Sequence, residues 1–115
     1  MADDCLFCRI ASGELQAKIV HEDEHCVAFE DINPQAPTHV LVIPRRHVST
    51  LNELQAGDHA LVGHLVSVAR DVARSRGHAD DGYRTVFNCN AAGGQTVFQI
   101  HLHLLGGRTL GWPPG

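Results

Sequence analysis

The chain has 115 residues, 43% of them hydrophobic, and a formal net charge of −4 at pH 7. A domain of this length buries a modest core and often gains stability by oligomerising. The acidic balance, with a pI near 6.1, excludes a general nucleic-acid binder, which would present a basic face, although a few local donors can still hold a single nucleotide.

Four cysteines at irregular spacing are too few for a disulfide scaffold, so reduced thiols or a partial metal site are expected. The sequence contains no basic leader followed by an apolar segment, and no apolar run of about 18 residues. We therefore expect a soluble, cytoplasmic protein without a membrane partner.

The hydrophobic pattern predicts two helices and five strands. A short helix over residues 5–12 has Asp4 as its N-cap and Gly13 at its end. A long helix covers about residues 56–76, where apolar side chains recur at three- and four-residue steps before Gly77. Strands are predicted at residues 18–22, 26–30, 38–44, 83–88 and 97–105. Joined mostly by short connections, these elements predict one α+β domain, residues 1–115, built on an antiparallel sheet.

The stretch 97–107 carries the clearest functional pattern. Apolar and polar residues alternate, so a strand here places Phe98, Ile100, Leu102 and Leu104 on one face and Gln99, His101 and His103 on the other. A loop of small residues, 88–96, comes just before it and could turn several backbone N–H groups towards an anion.

His101 and His103 admit three interpretations. They could be two histidines on an exposed sheet face, a zinc pair at i and i+2, or a nucleophile for phosphorus with its neighbour. The preceding loop favours phosphorus chemistry, because attack at phosphorus needs donors that stabilise charge on the non-bridging oxygens.

At this point the sequence resembles a known family. Residues 93–108, Gly-Gly-Gln-Thr-Val-Phe-Gln-Ile-His-Leu-His-Leu-Leu-Gly-Gly-Arg, closely resemble the signature of the histidine-triad family, in its nucleotide-binding branch of purine nucleoside phosphoramidases. Residues 29–39, 43–47, 81–84 and 112–115 extend the resemblance in the same order. It implies a homodimer of two joined five-stranded sheets that hydrolyses a nucleoside monophosphate linked to an amine, and no cofactor is required for catalysis.

The family pattern is His-x-His-x-His, and Gln99 replaces its first histidine. The resemblance implies that His101 is the nucleophile and that His103 is the third member. Glutamine can donate and accept hydrogen bonds but cannot carry charge near neutral pH, so we expect catalysis to be altered rather than abolished.

The resemblance also implies a nucleotide site. Asp31 would bind the ribose hydroxyls, His39 would lie near the nucleophile, and Trp112 would reach the site of the other subunit. Without the resemblance, Asp31 would be an ordinary turn aspartate. The phosphate loop comprises Asn88, Gly94, Gln95, Thr96 and Val97. The slot for the base, whose members could equally be plain core, comprises Leu6, Phe7, Ile10, Phe29, Ile32 and Leu41.

Cys5-x-x-Cys8 is a weak metal motif by itself. Some bacterial relatives hold a structural zinc with such a pair, a histidine matching His47 and the first triad histidine. Here that fourth ligand would be Gln99, a poor zinc donor, so water would have to complete the site. The remaining histidines are interpreted as surface or helix-face residues and the other cysteines as small, partly buried residues: His21, His25, His59, His64, His78, Cys26 and Cys89.

Two other functions remain open. The same site could cleave dinucleoside polyphosphates or transfer nucleotides, although the ending Trp-Pro-Pro-Gly favours the phosphoramidase branch. Alternatively, Gln99 could leave a nucleotide-binding or partner-binding protein with weakened catalysis.

Overall fold

Five antiparallel strands form the frame of the molecule, and the computed structural model describes residues 5–115 of it. The sheet has the order β1-β2-β3-β5-β4, and every neighbouring pair is antiparallel. The predicted α+β fold is therefore confirmed. The elements are α1 (Leu6–Ala11), β1 (Ile19–Glu22), β2 (Cys26–Glu30), β3 (Thr38–Pro44), α2 (His59–Ser75), β4 (Tyr83–Val86), α3 (Asn90–Gly93) and β5 (Leu102–Gly106), with 3-10 turns at Leu51–Glu53 and Ala56–Asp58.

The central strand β3 is buried along its whole length. It pairs with β2 on one side and β5 on the other, with Leu41 opposite both Phe29 and His103. Because successive strand residues point to opposite faces, Val40 and Val42 lie on one face of the sheet and Leu41 lies on the other.

The helix α2 covers the face that carries Val40 and Val42. Its apolar stripe is buried there, including Leu65, Val68 and Val72. Leu102 and Leu104 of β5 join the same core. None of the described helices is long and apolar enough to cross a membrane.

The opposite face is covered in part by α1. Phe7 and Ile10 of this helix are buried against Phe29, Leu41 and Ile43. This helix has only six residues. It therefore covers only part of the face, and the histidines of the 97–107 stretch lie beside it.

Two helix starts differ from the sequence prediction. Asp4, the predicted cap of the short helix, lies outside the described residues, and Cys5 stands at the N-cap position, where its thiol accepts from the Cys8 N–H at 3.2 Å. The long helix begins at His59 because residues 56–58 form a 3-10 turn, closed by the Gln55 N–H donating to Asp58 Oδ2 at 2.9 Å.

The strand predicted over 97–105 is the main error. The ladder begins only at Leu102, and Phe98, predicted to face the core, is 48% exposed. The N–H of Ile100 donates to the carbonyl of Val48 at 2.8 Å instead of to a neighbouring strand. Residues 97–101 therefore form an irregular connection bound to the segment after β3. The fourth predicted strand is also shorter, ending at Val86.

Candidate active site

His101 lies directly before β5, beside the ring of Phe7, whose centroid is 5.0 Å from that of His101. Its side chain is buried, with 7% of the residue exposed. Nδ1 lies 2.8 Å from the carbonyl oxygen of Gln99. A carbonyl oxygen only accepts, so Nδ1 carries the hydrogen and a neutral ring has its lone pair on Nε2.

The ring of His101 is neutral at physiological pH. Burial lowers the pKa of His101 below its usual range, and the hydrogen bond to Gln99 and the charge of Asp31 oppose this shift only in part. A neutral imidazole with a free Nε2 is the form that can attack an electrophile.

A second chain of hydrogen bonds fixes the tautomer of His103. The backbone N–H of Gln35 donates to His39 Nδ1 at 3.0 Å, so His39 carries its hydrogen on Nε2. That Nε2 lies 2.9 Å from His103 Nδ1 and 3.4 Å from Asp31 Oδ2. His103 Nδ1 accepts, and its Nε2 therefore carries a hydrogen.

His103 Nε2 is buried and has no hydrogen-bond partner among residues 5–115. An unpaired buried donor costs free energy, of order 1–3 kcal/mol. Burial, with smaller contributions from His101 and His39, lowers the pKa of His103 to about 4, so the ring is neutral at pH 7. Since the ring centroids of His101 and His103 are 4.9 Å apart, this unused donor lies next to the candidate nucleophile.

Gln99 does not stand in the row with His101 that a continuous strand would create. Its side chain is fully buried. Oε1 accepts from the Val48 N–H at 2.7 Å, and Nε2 donates to the carbonyls of Pro44 and Arg46 at 2.8 and 2.9 Å. The amide thus holds the segment after β3, with each of its polar atoms bonded to backbone.

The loop before His101 is braced from within. Gln95 is buried, accepts from the Asn90 N–H at 2.8 Å, and donates to the carbonyls of Ser49 and Val97 at 2.8 and 3.0 Å. Gly94 has a φ of +91°, which favours glycine, and a Cβ at Gly94 would lie 3.9 Å from the Asn88 side chain. Thr96 and Val97 border an open cleft lined also by Cys5, Leu6, His47, Ser49 and Phe98.

The predicted base slot is assembled only in part. Phe7, Ile10, Phe29 and Leu41 pack together, with the rings of Phe7 and Phe29 5.3 Å apart edge to face. Leu6 is 45% exposed, at the outer side of α1. These side chains supply an apolar wall next to His101, and part of them also belongs to the core.

Asp31 and Ile32 lie at the start of the loop after β2. Asp31 Oδ1 accepts from the Asn33 N–H at 2.8 Å, as an ordinary turn aspartate would, while Oδ2 faces His39. Ile32 is fully exposed and borders a second open cleft, together with Asp31, Lys18 and Pro34. Asp31 therefore connects this cleft to the histidines.

Trp112, predicted to reach the site of the other subunit, is 83% exposed in its own chain. The tail that carries it is held by Arg84 of β4, whose Nη2 donates to the Gly111 carbonyl at 2.7 Å.

Cys5, Cys8 and His47 converge at the other end of the first cleft. Their donor atoms all lie within 4.8 Å of one another, and Cys8 Sγ is 3.1 Å from His47 Nδ1. Burial and the neighbouring Cys5 thiol raise the pKa of Cys8 to about 12, which a bound cation would reverse. Two sulfurs and one imidazole fit a tetrahedral zinc site with one open position.

Three residues of the site gave no usable signal in the sequence. Gln35 acts through its backbone N–H, Ser49 through its carbonyl, and Val48 through its N–H. Main-chain donors and acceptors are present at almost every position, so no residue type marks them.

The HIT domain family matches residues 12–110, a span that includes the histidines and the loop before them. The chain belongs to the HIT domain family. Among curated relatives, this HIT protein is 50% identical over all 115 residues to an uncharacterized HIT-like protein of Synechococcus elongatus. It is 45% identical over 111 residues to the purine nucleoside phosphoramidase of Escherichia coli K12, covering 96% of this chain and 93% of that enzyme.

Solved structures agree with the fold. The crystal structure of a HIT family hydrolase from Legionella pneumophila Philadelphia 1 is similar with a TM-score of 0.96 and 51% identity, over 97% of this HIT protein and all of that chain. A histidine triad protein from Clostridium difficile gives a TM-score of 0.91 at 39% identity.

Proposed function

We propose that this HIT protein is a purine nucleoside phosphoramidase, which hydrolyses the phosphorus–nitrogen bond between a nucleoside monophosphate and an amine. The observation that carries the proposal is the pair of fixed tautomers: His101 is neutral with its lone pair on Nε2, and His103 beside it holds an unpaired Nε2–H. The likeness to the Escherichia coli enzyme of that name supports the substrate class.

The reaction proceeds in two displacements. His101 Nε2 forms a bond to the α-phosphorus, the phosphorus–nitrogen bond breaks, and its electron pair leaves on the amine, which takes up one proton. Water then displaces His101, the monophosphate is released and one proton returns to solvent, so that one water is consumed per bond. The N–H of His103 donates to a phosphoryl oxygen as its charge grows.

The nucleoside binds along the α1 side of the sheet. Phe7, Phe29 and Leu41 form the apolar wall for the base, and Asp31 accepts hydrogen bonds from the ribose hydroxyls. In the loop, the N–H groups of Gly94 and Gln95 already donate to Ala91 and Asn90, at 3.0 and 3.1 Å. The N–H groups of Thr96 and Val97 are therefore the donors assigned to the phosphate.

Two chains join through β4, an edge strand of the sheet. The tail with Trp112 is bonded to Arg84 on that strand, so pairing of two such edges carries Trp112 towards the partner's site. A fully assembled site would then contain an aromatic side chain from the other subunit. The four cysteines are free thiols, which suits the reducing cytoplasm.

Zinc has a structural role in the proposal. Cys5, Cys8 and His47 would hold the ion with water as the fourth ligand, because the amide of Gln99 is fully bonded to backbone. Bound zinc would fasten α1 to the end of β3 and so steady the wall formed by Phe7. No step of the reaction involves it.

A steady-state assay with a fluorogenic adenosine phosphoramidate tests the proposal. We expect turnover by the unmodified protein, and for His101→Ala a loss of more than the roughly 10²–10⁴-fold typical of a single acid–base group, with binding of the free monophosphate retained. His59→Gln, a change on the exposed start of α2, is the control. A His101→Ala variant that keeps more than about a tenth of the activity excludes nucleophilic catalysis by His101.

The same assay separates the rival functions. Faster cleavage of a dinucleoside polyphosphate than of the phosphoramidate would assign the site to that reaction. Tight binding of the phosphoramidate without turnover would identify a nucleotide-binding protein.

A further inference from the structure

A second group of potential metal ligands lies on the α2 side of the sheet, away from His101. His21 of β1 and His64 of α2 both approach the carboxylate of Asp23 in the turn between β1 and β2. Their Nε2 atoms are 2.7 and 2.8 Å from Asp23 Oδ2. The thiol of Cys26 is 3.5 Å from the same oxygen, and the donor atoms of His21, Asp23 and Cys26 all lie within 4.8 Å of one another.

The carboxylate of Asp23 is oriented by the turn itself. Oδ1 accepts from the backbone N–H groups of His25 and Cys26 at 2.8 and 2.9 Å, which aims Oδ2 at the two imidazoles. The ring of His25 packs edge-on against His64, with centroids 5.7 Å apart. The donors are thus held by three different elements and do not depend on one flexible side chain.

Hydrogen bonding alone leaves this cluster overcrowded. Two backbone N–H groups, two imidazoles and one thiol direct five donors at the Asp23 carboxylate, which offers only about four lone-pair sites. Three of those donors share the single oxygen Oδ2. A bound cation removes this excess. It takes the place of the hydrogens on the two imidazole Nε2 atoms and on the thiol, and these atoms and Oδ2 then all donate electron pairs to the cation.

The local charge and exposure suit a cation. Three consecutive acidic residues, Glu22, Asp23 and Glu24, form this turn, and the cation beside them is Arg45, which donates to the Asp23 carbonyl at 2.7 Å and lies 3.4 Å from Glu22. The side chains of His21, Asp23 and His64 are 38, 26 and 36% exposed, so an ion can enter from solvent. Cys26 forms the buried floor of the site.

We propose that His21, Asp23, Cys26 and His64 form a binding site for a divalent transition-metal ion, with zinc as the ion it takes from solution. Two imidazoles, a carboxylate and a thiolate are donors of the types zinc prefers. On binding, the Cys26 thiol gives its proton to solvent, and each imidazole carries its hydrogen on Nδ1 and coordinates through Nε2. Oδ2 and the imidazole nitrogens need to separate from under 3 Å to about 3.3 Å around a tetrahedral ion.

The test uses a protein from which the other thiol cluster has been removed. In the Cys5→Ser/Cys8→Ser double variant, zinc added at micromolar concentration should remain bound in about equimolar amount after gel filtration, as measured by elemental analysis. Cobalt should give a visible spectrum of a tetrahedral complex with a thiolate charge-transfer band, which reports Cys26 without replacing this buried residue.

Single substitutions in this background locate the site. Removal of a residue that only hydrogen-bonds to a metal ligand typically lowers metal affinity by about 10–100-fold. His21→Gln removes a ligand itself, so it should weaken zinc binding by more than about tenfold. His59→Gln, the same exchange at an exposed position at the start of α2, should leave the affinity unchanged. Phosphoramidate turnover should be unaffected by both, because neither residue belongs to the active site.

Three results would overturn the proposal: no retained zinc in the double variant, equal affinities for His21→Gln and His59→Gln, or a cobalt complex without the thiolate band. Absence of phosphoramidate turnover in the unmodified protein, with zinc binding intact, would contradict the proposed hydrolase and leave this site standing.

Discussion

The backbone N–H of Gln35 fixes the position of the hydrogen on His103 Nε2, although it reaches His103 only through His39. The Gln35 N–H determines which nitrogen of His39 carries a hydrogen, and His39 in turn determines the tautomer of His103. The first step follows because a backbone N–H can only donate, and the second because a neutral imidazole carries a single N–H hydrogen. The role proposed for His103 therefore rests on a series of neutral tautomers, without any charged imidazole.

Gln99 gives the first prediction at the scale of the residue. Gln99 makes three hydrogen bonds to the backbone: it accepts one from an N–H and donates two to carbonyls. A neutral histidine at this position can accept only one and donate only one. Gln99→His should leave a buried carbonyl unpaired and lower the free energy of unfolding by about 1–3 kcal/mol, measured by urea denaturation. Turnover should not increase, because the side chain at this position is directed to the segment after β3.

Gln16→His, at an exposed position near β1, is the matched control for this substitution. A rise in kcat of more than about tenfold in Gln99→His would contradict the prediction and would indicate that the residue handles a proton.

At the scale of the element, the sequence predicts features that depend on neighbouring residues but not those that depend on contacts between distant parts of the chain. The apolar spacing of α2 and the alternation from Ile100 to Leu104 are properties of neighbouring residues, and both predict the buried faces correctly. The start of β5 depends instead on Val48, which lies fifty-one residues before Gln99 in the sequence. The N–H of Val48 donates to the side-chain oxygen of Gln99. A period-two pattern states which side of the chain is apolar but not where its backbone hydrogen bonds go.

The site was predictable to a similar extent. The histidines, the loop and the thiols are marked by residue type and spacing, and the structure brings Cys5, Cys8 and His47 together. The hydrogen-bonded chain from Gln35 to His103 was not predictable, because its first donor is a main-chain group.

The proposed zinc site at Cys5, Cys8 and His47 gives the second prediction. Cys8→Ser should remove one zinc ion per chain and lower Tm, since a bound ion stabilises the folded state in proportion to its affinity. Zinc content is measured by elemental analysis and Tm by circular dichroism in zinc-containing buffer. Cys89→Ser, a change at a half-buried cysteine far from His47 in sequence, should change neither quantity. Equal zinc content in the two variants would show that the thiol pair holds no ion.

At the scale of the whole molecule, the protonation of buried histidines should lower stability in acid. Burial lowers the pKa values of His39, His101 and His103, the last to about 4, while Asp31 opposes the shift. The ring of His103 lies against both of the others, with centroids 5.2 Å from His39 and 4.9 Å from His101. The unfolded chain takes up protons near pH 6.5, before the folded one does. Stability should therefore be highest above this pH and fall as the pH decreases towards 4.

The third prediction is the size of that fall. His103 alone should account for about 3 kcal/mol between pH 7 and pH 4, since one pKa unit corresponds to about 1.4 kcal/mol. Urea denaturation at a series of pH values measures it. Replacement of His103 by Gln should flatten the curve, whereas His25→Gln, at an exposed position, should not. A free energy of unfolding that stays constant down to pH 4.5 would contradict the prediction.

The proposed homodimer gives the fourth prediction. Light scattering at micromolar concentration should find a dimer, and removal of residues 111–115 should change the relative rates for different leaving amines more than the affinity for the free monophosphate. Trp112→Ala is the milder variant and should show the same change in selectivity. A monomeric protein, or a selectivity that does not respond to either variant, would contradict the assignment of Trp112 to the partner's site.

The donor that begins the chain to His103 belongs to position 35, and every amino acid except proline supplies a backbone N–H there. Natural variation at this position can therefore be wide without any effect on where the hydrogen of His103 resides. Prolines stand at positions 34 and 37 of the same loop. A shift of the first of them by a single residue would delete the donor, and a change of this kind in a relative would leave the histidines intact while altering their protonation.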